Sequence, residues 1–163
     1  MVLIRLCSND PQAWGLWPAL ETRVRAFCET EMPEIPADAL ITHLRQLFVG
    51  SPDALGTWLV LHDGVPVGHV VGWLDVYWGQ PYLLIQQASL DHSATGQIDP
   101  EQVLAELRTW ASQINATQIA SGRPERVTHL QWLTTRTNAW QRWLGGRPLQ
   151  RVTVLSMRLT EED

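Results

Sequence analysis

The residues with the clearest capacity to bind a ligand lie where a predicted strand runs into a predicted helix. The apolar segment from Tyr82 to Leu90 predicts the strand, and Asp99-Pro100-Glu101 is typical of a helix start. Free backbone amides and the helix dipole favour an anion at such a junction, and many proteins hold phosphate groups there. The loop between these two elements is therefore the first candidate site.

The side chains that commonly act as catalysts show no local motif. Five histidines are spread along the chain, at His43, His62, His69, His92 and His129. None is paired with another ligand at a metal-binding spacing, so no metal site is predicted. No serine lies in a Gly-x-Ser-x-Gly setting, and the absence of lysine excludes a phosphate-binding lysine motif. These observations set aside serine hydrolases and nucleotide hydrolases of the usual kinds.

Length and composition predict one globular domain that spans residues 1–163. Apolar residues make up 45% of the chain and charged residues 18%, and a chain of this length can bury a substantial core. No apolar run is long enough to cross a bilayer, and the first residues do not resemble a secretion signal. We therefore expect a cytoplasmic protein, or a virion protein if it is phage-encoded, rather than a secreted one. The net charge of -5 gives no reason to expect binding to nucleic acid or to an anionic membrane.

Strands and helices alternate in the predicted order of elements. That order is a strand at 2–7, a helical region from residue 11 in one piece or broken near Pro18, a linker at 31–36, a helix at 40–48, a hairpin at 57–74, a loop at 77–81, a strand at 82–90, a helix at 100–119, a strand at 127–133, a short helix at 137–144 and a strand at 151–159. Asp63-Gly64 is a strong signal for the hairpin turn. Gly68 and Gly72 interrupt the second hairpin strand, which suggests a bulge or a close backbone approach. Cys28, like Cys7, is expected to be a reduced, buried thiol.

This order of elements resembles the fold of the GNAT N-acetyltransferase family. The segment from Trp58 to Gly68 looks like the family's hairpin, an apolar strand followed by a polar-Gly turn and a strand containing Val-Gly. The segment from Asn138 to Gly145 looks like its late helix, in which an Asn and apolar residues precede a Gly. The resemblance covers nearly the whole chain and implies an α/β (α+β) fold, with a mixed central sheet flanked by helices.

The resemblance also implies a place for a cofactor. In such enzymes a loop of pattern Arg/Gln-x-x-Gly-x-Gly/Ala holds the pyrophosphate of acetyl-CoA on backbone amides at the start of a helix. In this chain the loop contains Thr95, Gly96, Gln97 and Ile98, and only Gly96 matches the pattern. These four residues would bind acetyl-CoA if the site is active.

Two residues beside this loop are obstacles to a diphosphate. Pro100 supplies no amide hydrogen. Asp99 is predicted to cap the helix, so its carboxylate would occupy the free amides and repel an anion. Two like charges about 4 Å apart cost from roughly 1 kcal/mol in water to about 4 kcal/mol near a protein surface. The sequence therefore favours a degenerate loop and no cofactor.

The acid and the base that the resemblance implies are also missing. Gln141 stands where a tyrosine often protonates the departing thiolate, and Gln86 and Gln87 stand where a carboxylate base would be expected. If the protein is an enzyme, Asp75 and His129 are the candidate bases, because both should lie near strand ends that border the cleft.

Aromatic and arginine residues are the candidate contacts for a protein partner. Tryptophan occurs nine times and all twelve basic residues are arginine, which a GC-rich genome would explain and which interfaces also favour. Helical spacing explains most aromatic pairs as core residues, but Tyr77 and Trp78 are predicted to lie in a loop. Trp78 is the first candidate for an anchor on a partner, and Tyr77, Arg142 and Arg147 are further candidates.

Two functions remain open. The first is a GNAT-fold protein with a degenerate acetyl-CoA site, which serves as a non-catalytic structural or interaction component of a larger protein assembly such as a tailed-phage virion. The alternative is an active N-acetyltransferase that moves acetyl from acetyl-CoA to a small-molecule or protein amine. The missing cofactor motif favours the first, so the chain is expected not to be an enzyme unless acetyl-CoA binds.

Overall fold

The order of strands and helices follows the predicted order as far as residue 132. A computed structural model describes residues 1–94, 97, 99–123 and 125–132. The elements are β1 (Val2–Arg5), α1 (Pro11–Glu31), α2 (Ala37–Gly50), β2 (Leu55–His62), β3 (Val65–Tyr77), β4 (Gln80–Leu90), α3 (Pro100–Ala120) and β5 (Leu130–Trp132), with 3-10 turns at Pro52–Ala54 and His92–Ala94. The helix predicted at 137–144 and the strand predicted at 151–159 lie outside the described residues.

The five strands form one mixed sheet in the order β1-β2-β3-β4-β5. Each of the first three is antiparallel to the next. β5 is parallel to β4, pairing Leu130 with Leu83 and Trp132 with Ile85, because α3 carries the chain back to the end of the sheet where β4 starts. This mixed central sheet flanked by helices confirms the predicted fold class.

Each face of the sheet packs against helices through its own hydrophobic cluster. The cluster under α1 and α2 contains Leu6, Ala13, Trp17, Leu20, Val24, Cys28, Leu40, Ile41, Leu44, Phe48, Leu55, Leu59 and Val71. The cluster under α3 contains Trp58, Val70, Leu83, Ile85, Val103, Leu107, Trp110, Ile114 and Val127. Neighbouring residues of one strand point to opposite faces, so Trp58 faces α3 while Leu59 faces α1 and α2. β4 therefore lies between two helical layers.

α1 crosses Pro18 without a break. Proline inside a helix removes one backbone hydrogen bond and crowds the preceding turn, at a cost of about 3 kcal/mol or more. The adjacent Trp17 is buried against Phe48 of α2, with ring centroids 4.1 Å apart, and Leu20 is fully buried. Burial of one large apolar side chain contributes about 1.5–3 kcal/mol, so packing on both sides of Pro18 offsets its cost. Of the two arrangements that the sequence left open, one continuous helix is observed.

β4 carries a bulge at Gln86. In the pairing between β3 and β4, Val71 lies opposite Gln87 and Gly72 lies opposite Ile85. Two residues of β4 therefore occupy the space that one residue occupies on β3, which leaves Gln86 as the extra residue.

The bulge changes the direction of the side chains that follow it. Without a bulge, residues three apart on a strand point to opposite faces. Ile85 and Ala88 nevertheless both belong to the cluster under α3. Gln87 points the other way and contacts Cys28 of α1.

Two glycines let the neighbouring strands approach closely. A Cβ atom added at Gly72 would lie 2.4 Å from the Leu84 carbonyl oxygen, and one added at Gly68 would lie 2.7 Å from the Ser89 carbonyl oxygen. Real Cβ atoms do not come this near to a backbone oxygen. The close approach predicted at both glycines is therefore confirmed.

Replacing Gly72 with alanine is expected to lower the free energy of unfolding by about 2–3 kcal/mol, because the new methyl group would collide with the backbone of a paired strand. Gly15→Ala is the matched control, since a Cβ at Gly15 meets nothing within 4 Å and the change gains about 0.5–1 kcal/mol of helix propensity. Urea unfolding measures both values. Equal stability of the two variants would contradict the close approach at Gly72.

Candidate functional site

The site most able to hold a ligand lies at the far end of β4. Within the described residues, β5 pairs with β4 at Leu83, Leu84 and Ile85, directly before the bulge at Gln86. The extra residue of a bulge is left out of the ladder, so backbone groups at Gln86 can bind something else. After Leu90 the chain passes through a loop into α3. The bulge and this loop together form the candidate site.

The start of α3 is capped by its own chain. The Asp99 carboxylate accepts a hydrogen bond from Glu101 N (2.9 Å), and Gln102 N donates to Asp99 O (3.1 Å). Pro100 occupies the first turn, where its missing N–H is tolerated. The predicted cap at Asp99 is thus confirmed, and it uses part of the capacity of this helix end to bind an anion.

The loop before α3 is only partly described. Gln97 is exposed, with its backbone N–H donating to Ala94 O (3.1 Å) and its side-chain amide to Ser93 O (3.0 Å). The other three residues predicted to bind acetyl-CoA lie outside the described residues: Thr95, Gly96 and Ile98. The cofactor-binding role of all four stays a prediction.

An ion pair fixes the beginning of the loop to α1. Arg23 Nη2 lies 2.6 Å from Asp91 Oδ1, and Arg23 Nη1 donates to Pro66 O (3.1 Å). Asp91 N in turn donates to Val67 O (2.8 Å), which ties the loop to the start of β3. The side chain of Arg23 is only 18% exposed, so screening by water is weaker than at a surface pair. Three acids thus lie close together in the chain, Asp91, Asp99 and Glu101. Arg23 forms an ion pair with Asp91.

Three buried polar groups form a network beneath the bulge. Gln87 Nε2 donates to Cys28 Sγ of α1 (3.2 Å), and Gln87 Oε1 lies 3.1 Å from His69 Nε2 of β3. All three side chains are at most 2% exposed. Since the amide oxygen can only accept, the pairing places the imidazole proton on Nε2. His69 Nδ1 is buried and has no hydrogen-bond partner.

Burial keeps this network uncharged. Desolvation lowers the pKa of His69 to about 4, and the hydrogen bond to Gln87 opposes part of that change. The charge of Arg23 lowers the same pKa and that of Asp91 raises it. Burial also raises the pKa of the Cys28 thiol. His69 and Cys28 are therefore neutral at pH 7.

Sequence reasoning missed this network. It treated Gln87 as a residue standing in place of a base and Cys28 as an ordinary core thiol. One local signal was present: His69 alternates with Val71 and Trp73, which the period of a strand places on one face of the sheet. The partners of His69 could not be found in that way, because they come from other elements.

The two candidate bases lie at the opposite end of the sheet from the loop. The Asp75 carboxylate accepts hydrogen bonds from Tyr82 hydroxyl (2.9 Å) and Val76 N (2.7 Å), at the start of β4. His129 is exposed, directly precedes β5, and its carbonyl accepts from Leu83 N (3.1 Å). The distance along β4 from this end to the loop is about 25 Å, at about 3.3 Å per residue. Both residues lie near strand ends as expected, but these ends are remote from the loop, and a catalytic role for either stays a prediction.

The predicted loop at 77–81 is wrong, because β3 and β4 continue to a two-residue turn. Trp78 (φ 51) and Gly79 (φ 76) both have positive φ, as do Asp63 (φ 49) and Gly64 (φ 80) in the β2–β3 turn. Positive φ at both central residues is the type I′ hairpin geometry, which Asp-Gly suits. The two hairpins therefore share one turn type with different first residues.

Trp78 lies at the tip of this hairpin and is 86% exposed. The tip projects past its neighbours, since β2 pairing ends at Trp73 and β5 pairing begins at Leu83. A left-handed backbone conformation costs a bulky residue roughly 1–2 kcal/mol. Trp78 thus combines exposure with backbone strain. The predicted partner residues Arg142 and Arg147 lie outside the described residues, and Tyr77, which pairs with Gln80, stays a candidate contact.

The described part of the chain has neither a metal site nor a membrane-spanning helix. No group of three or more His, Cys, Asp or Glu side chains there could hold a metal ion. No helix among the described residues is both long and apolar enough to cross a membrane.

Solved structures share this fold over nearly the whole chain. The aminoglycoside N-acetyltransferase AAC(6')-Iy in complex with CoA has a TM-score of 0.61 and 15% identity, covering 97% of this chain and 95% of that one. The chain has the GNAT fold. An aminoglycoside acetyltransferase from an uncultured soil metagenomic sample, in complex with sisomicin, has a TM-score of 0.59 and 14% identity, covering 98% and 95%. An integron cassette protein from the mobile metagenome of Cole Harbour Salt Marsh has a TM-score of 0.54 and 19% identity, covering 97% and 90%.

Similarity at the level of sequence is absent. No protein-family model matches the chain, and no curated protein matches it. The likeness to known proteins is therefore a likeness of fold.

The stability of the protein should fall as the pH drops from about 6.5 to about 4. In this window the unfolded chain protonates His69, whereas the native state, with its pKa near 4, does not. The unfolded state therefore binds the extra proton and gains up to about 3 kcal/mol relative to the native state. Urea unfolding at a series of pH values measures the slope. His69→Gln should flatten it, and His62→Gln, at an exposed turn, should not.

Trp78→Asn is expected to raise the free energy of unfolding by about 1 kcal/mol, because asparagine tolerates positive φ better than tryptophan does. The reciprocal variant Asp63→Trp should lower it by a similar amount, since the two turns have the same geometry. Thermal unfolding compares the pair with the wild-type protein. A loss of stability in Trp78→Asn would show that the tryptophan ring stabilises the fold despite its exposure.

Proposed function

We propose that this protein is an N-acetyltransferase that uses acetyl-CoA as donor and a cationic amine as acceptor. The observation that carries the proposal is the bulge at Gln86, where the β3–β4 ladder is interrupted directly after the residues of β4 that pair with the described part of β5. Unpaired backbone groups at this point can form hydrogen bonds to an extended acyl-thioester arm laid beside β4. The solved enzymes that share the fold include one bound to a CoA-based bisubstrate analogue, which supports a donor of this class.

The reaction needs little from charged side chains. The acceptor's ammonium group first loses a proton to water. The neutral amine then attacks the thioester carbonyl, the carbon–sulfur bond breaks, and the second amine proton passes through water to the departing thiolate. Backbone N–H groups aimed at the carbonyl oxygen stabilise the negative charge that develops there. Amides released from the ladder at Gln86 can supply this stabilisation, so glutamines in place of a carboxylate base do not rule out the chemistry.

Acidic residues near the same end of the sheet favour a cationic acceptor. α1 is 21 residues long and its last turns lie over the end of β4, as the contact between Cys28 and Gln87 shows. Glu29 and Glu34, at the end of α1 and just after it, are exposed. Carboxylates at the rim of a site raise the local concentration of cations and steer them towards it. The net charge of -5 acts in the same direction.

A second candidate is an interaction domain that does not use acetyl-CoA, in a larger protein assembly such as a virion. The cap formed by Asp99 favours it, because this carboxylate occupies the helix end where a diphosphate would bind. The exposed Trp78 at a projecting hairpin tip supports a role in protein contacts, since tryptophan is enriched among residues that dominate binding.

Binding of acetyl-CoA separates the two candidates. A ligand at about 100 times its dissociation constant stabilises the native state by about 2.7 kcal/mol, which is readily seen as a rise in Tm. We expect such a rise with acetyl-CoA at millimolar concentration, and release of free thiol when a polyamine or an aminoglycoside is added. Absence of any rise would favour the interaction domain.

Asp99→Asn is expected to tighten acetyl-CoA binding about fivefold or more, because it removes a like charge worth at least about 1 kcal/mol from the helix end. The asparagine oxygen can still accept from Glu101 N, so the free energy of unfolding should change by only a few tenths of a kcal/mol. Asp99→Ala is the matched control, because it removes the same charge but also the cap, at about 1 kcal/mol. Titration calorimetry measures the affinities. Unchanged affinity in both variants would show that the diphosphate does not lie at this helix end.

A further inference from the structure

The buried network of Cys28, Gln87 and His69 lies directly beside the β4 bulge. We propose that Gln87 is a positioning residue: its side chain, held by Cys28 and His69, fixes the bulge at Gln86. In the proposed acetyltransferase, the position of the bulge determines where the backbone groups that face the acyl donor lie. The claim about the bulge itself stands without that function.

The contacts of Gln87 join three elements at one point. Its amide nitrogen donates to α1 through Cys28 Sγ, and its amide oxygen accepts from β3 through His69 Nε2. The His69 ring also meets Phe27 of α1 edge-on, with centroids 5.8 Å apart. One side chain thus ties the residue after the bulge to the helix above it and to the neighbouring strand.

If these three side chains only packed α1 against the sheet, apolar side chains would stabilise the fold more. Burying polar groups costs free energy that their hydrogen bonds only partly return, and His69 Nδ1 has no partner at all. Leucine or valine at these positions would fill the same space between α1 and the sheet without that cost. Buried polar groups of this kind instead specify one arrangement over its alternatives.

The alternative to be excluded here is a shift of the bulge along β4. A bulge moved towards Gln80 would turn the buried Ile85 out of the cluster under α3, and a bulge moved towards Leu90 would keep most of the ladder but turn Gln87 away from α1. The two hydrogen bonds of Gln87 would then be lost in a buried setting. They therefore penalise a shift of the bulge towards Leu90, and they favour the observed pairing of Val71 with Gln87.

Other groups near His69 do not disturb this arrangement. From α1, Arg23 is engaged with Asp91, and Cys28 faces His69 only through Gln87. From β4, Gln87 is the group in hydrogen-bond contact. The network is thus held by neutral hydrogen bonds, and it does not require titration to act.

The test is native-state hydrogen exchange of the backbone amides of residues 85–88, measured by NMR. We compare Gln87→Leu, Cys28→Ala and the conservative Cys28→Ser with Thr57→Val. Thr57 is a matched control, because it is fully buried on β2, is separated from Gln87 by Val71 of β3, and its hydroxyl donates one buried hydrogen bond to Leu6 O (3.1 Å). Cys28→Ala removes only one contact of Gln87, so it remains informative if Gln87→Leu does not fold.

We expect protection at residues 85–88 to fall at least about tenfold in Gln87→Leu, and less in Cys28→Ala, relative to Thr57→Val at equal global stability. Cys28→Ser should restore the protection, since a hydroxyl can accept from Gln87 Nε2. Equal protection in Gln87→Leu and Thr57→Val would overturn the proposal. If Gln87→Leu does not fold, equal protection of these amides in Cys28→Ala and Cys28→Ser would overturn it.

Kinetics separate this proposal from the proposed function. Misplacing a reacting group by about 1 Å can cost on the order of 100-fold in rate, so Gln87→Leu should lower kcat at least about tenfold while the Kd for acetyl-CoA changes less than about threefold. Equal losses in kcat and affinity would contradict a positioning role. If the wild-type protein binds no acetyl-CoA, the proposed function fails, and hydrogen exchange still decides whether Gln87 fixes the bulge.

Discussion

The sheet geometry depends on one close contact between β3 and β4, which leaves no room for a side chain. Gly72 of β3 faces the Leu84 carbonyl at a distance that excludes even a methyl group. This close approach accompanies the insertion of Gln86 into β4, which breaks the regular ladder. The orientation of every side chain between the bulge and Leu90 follows from it, including that of Gln87. A single steric constraint therefore links the sheet geometry to the candidate site.

Electrostatics at the end of β4 are unusual for a site that holds a diphosphate. Asp99 satisfies the start of α3, and Asp91 is neutralised by Arg23 of α1. The chain thus uses its own groups where a phosphate ligand would otherwise bind. An acyl donor has more to gain along the bulged strand, where backbone groups leave the ladder, than at the helix end. The proposed enzyme would accordingly hold its donor mainly through the acyl arm.

The two hairpin turns have the same backbone geometry but differ in the strain at their first residue. Asp63-Gly64 and Trp78-Gly79 adopt the same turn, but asparagine, aspartate and glycine are the residues that tolerate it. Trp78 adds strain to a ring that is mostly in solvent.

Burial determines the protonation state of His69. A histidine of ordinary exposure changes charge near neutral pH, but desolvation keeps this one neutral down to about pH 4. It therefore acts through hydrogen bonds rather than through charge. The same ring on the surface would have been a candidate base, and its place between α1 and the sheet makes it a support for the strand that carries the bulge.

The sequence alone determined the features that depend on neighbouring residues. The order of elements, the Asp63-Gly64 turn and the Asp99 cap follow from residue patterns, hydrogen bonds or steric limits within a few residues. Only the tertiary structure could join His69 and Cys28 through Gln87, because the partners lie 18 and 59 positions from it in the chain. It also decided which end of the sheet holds Asp75 and His129, since local patterns predict a strand end but not the direction in which the strand runs. Contacts between distant segments depend on how faces and strand directions combine in three dimensions, and no short window of residues contains that information.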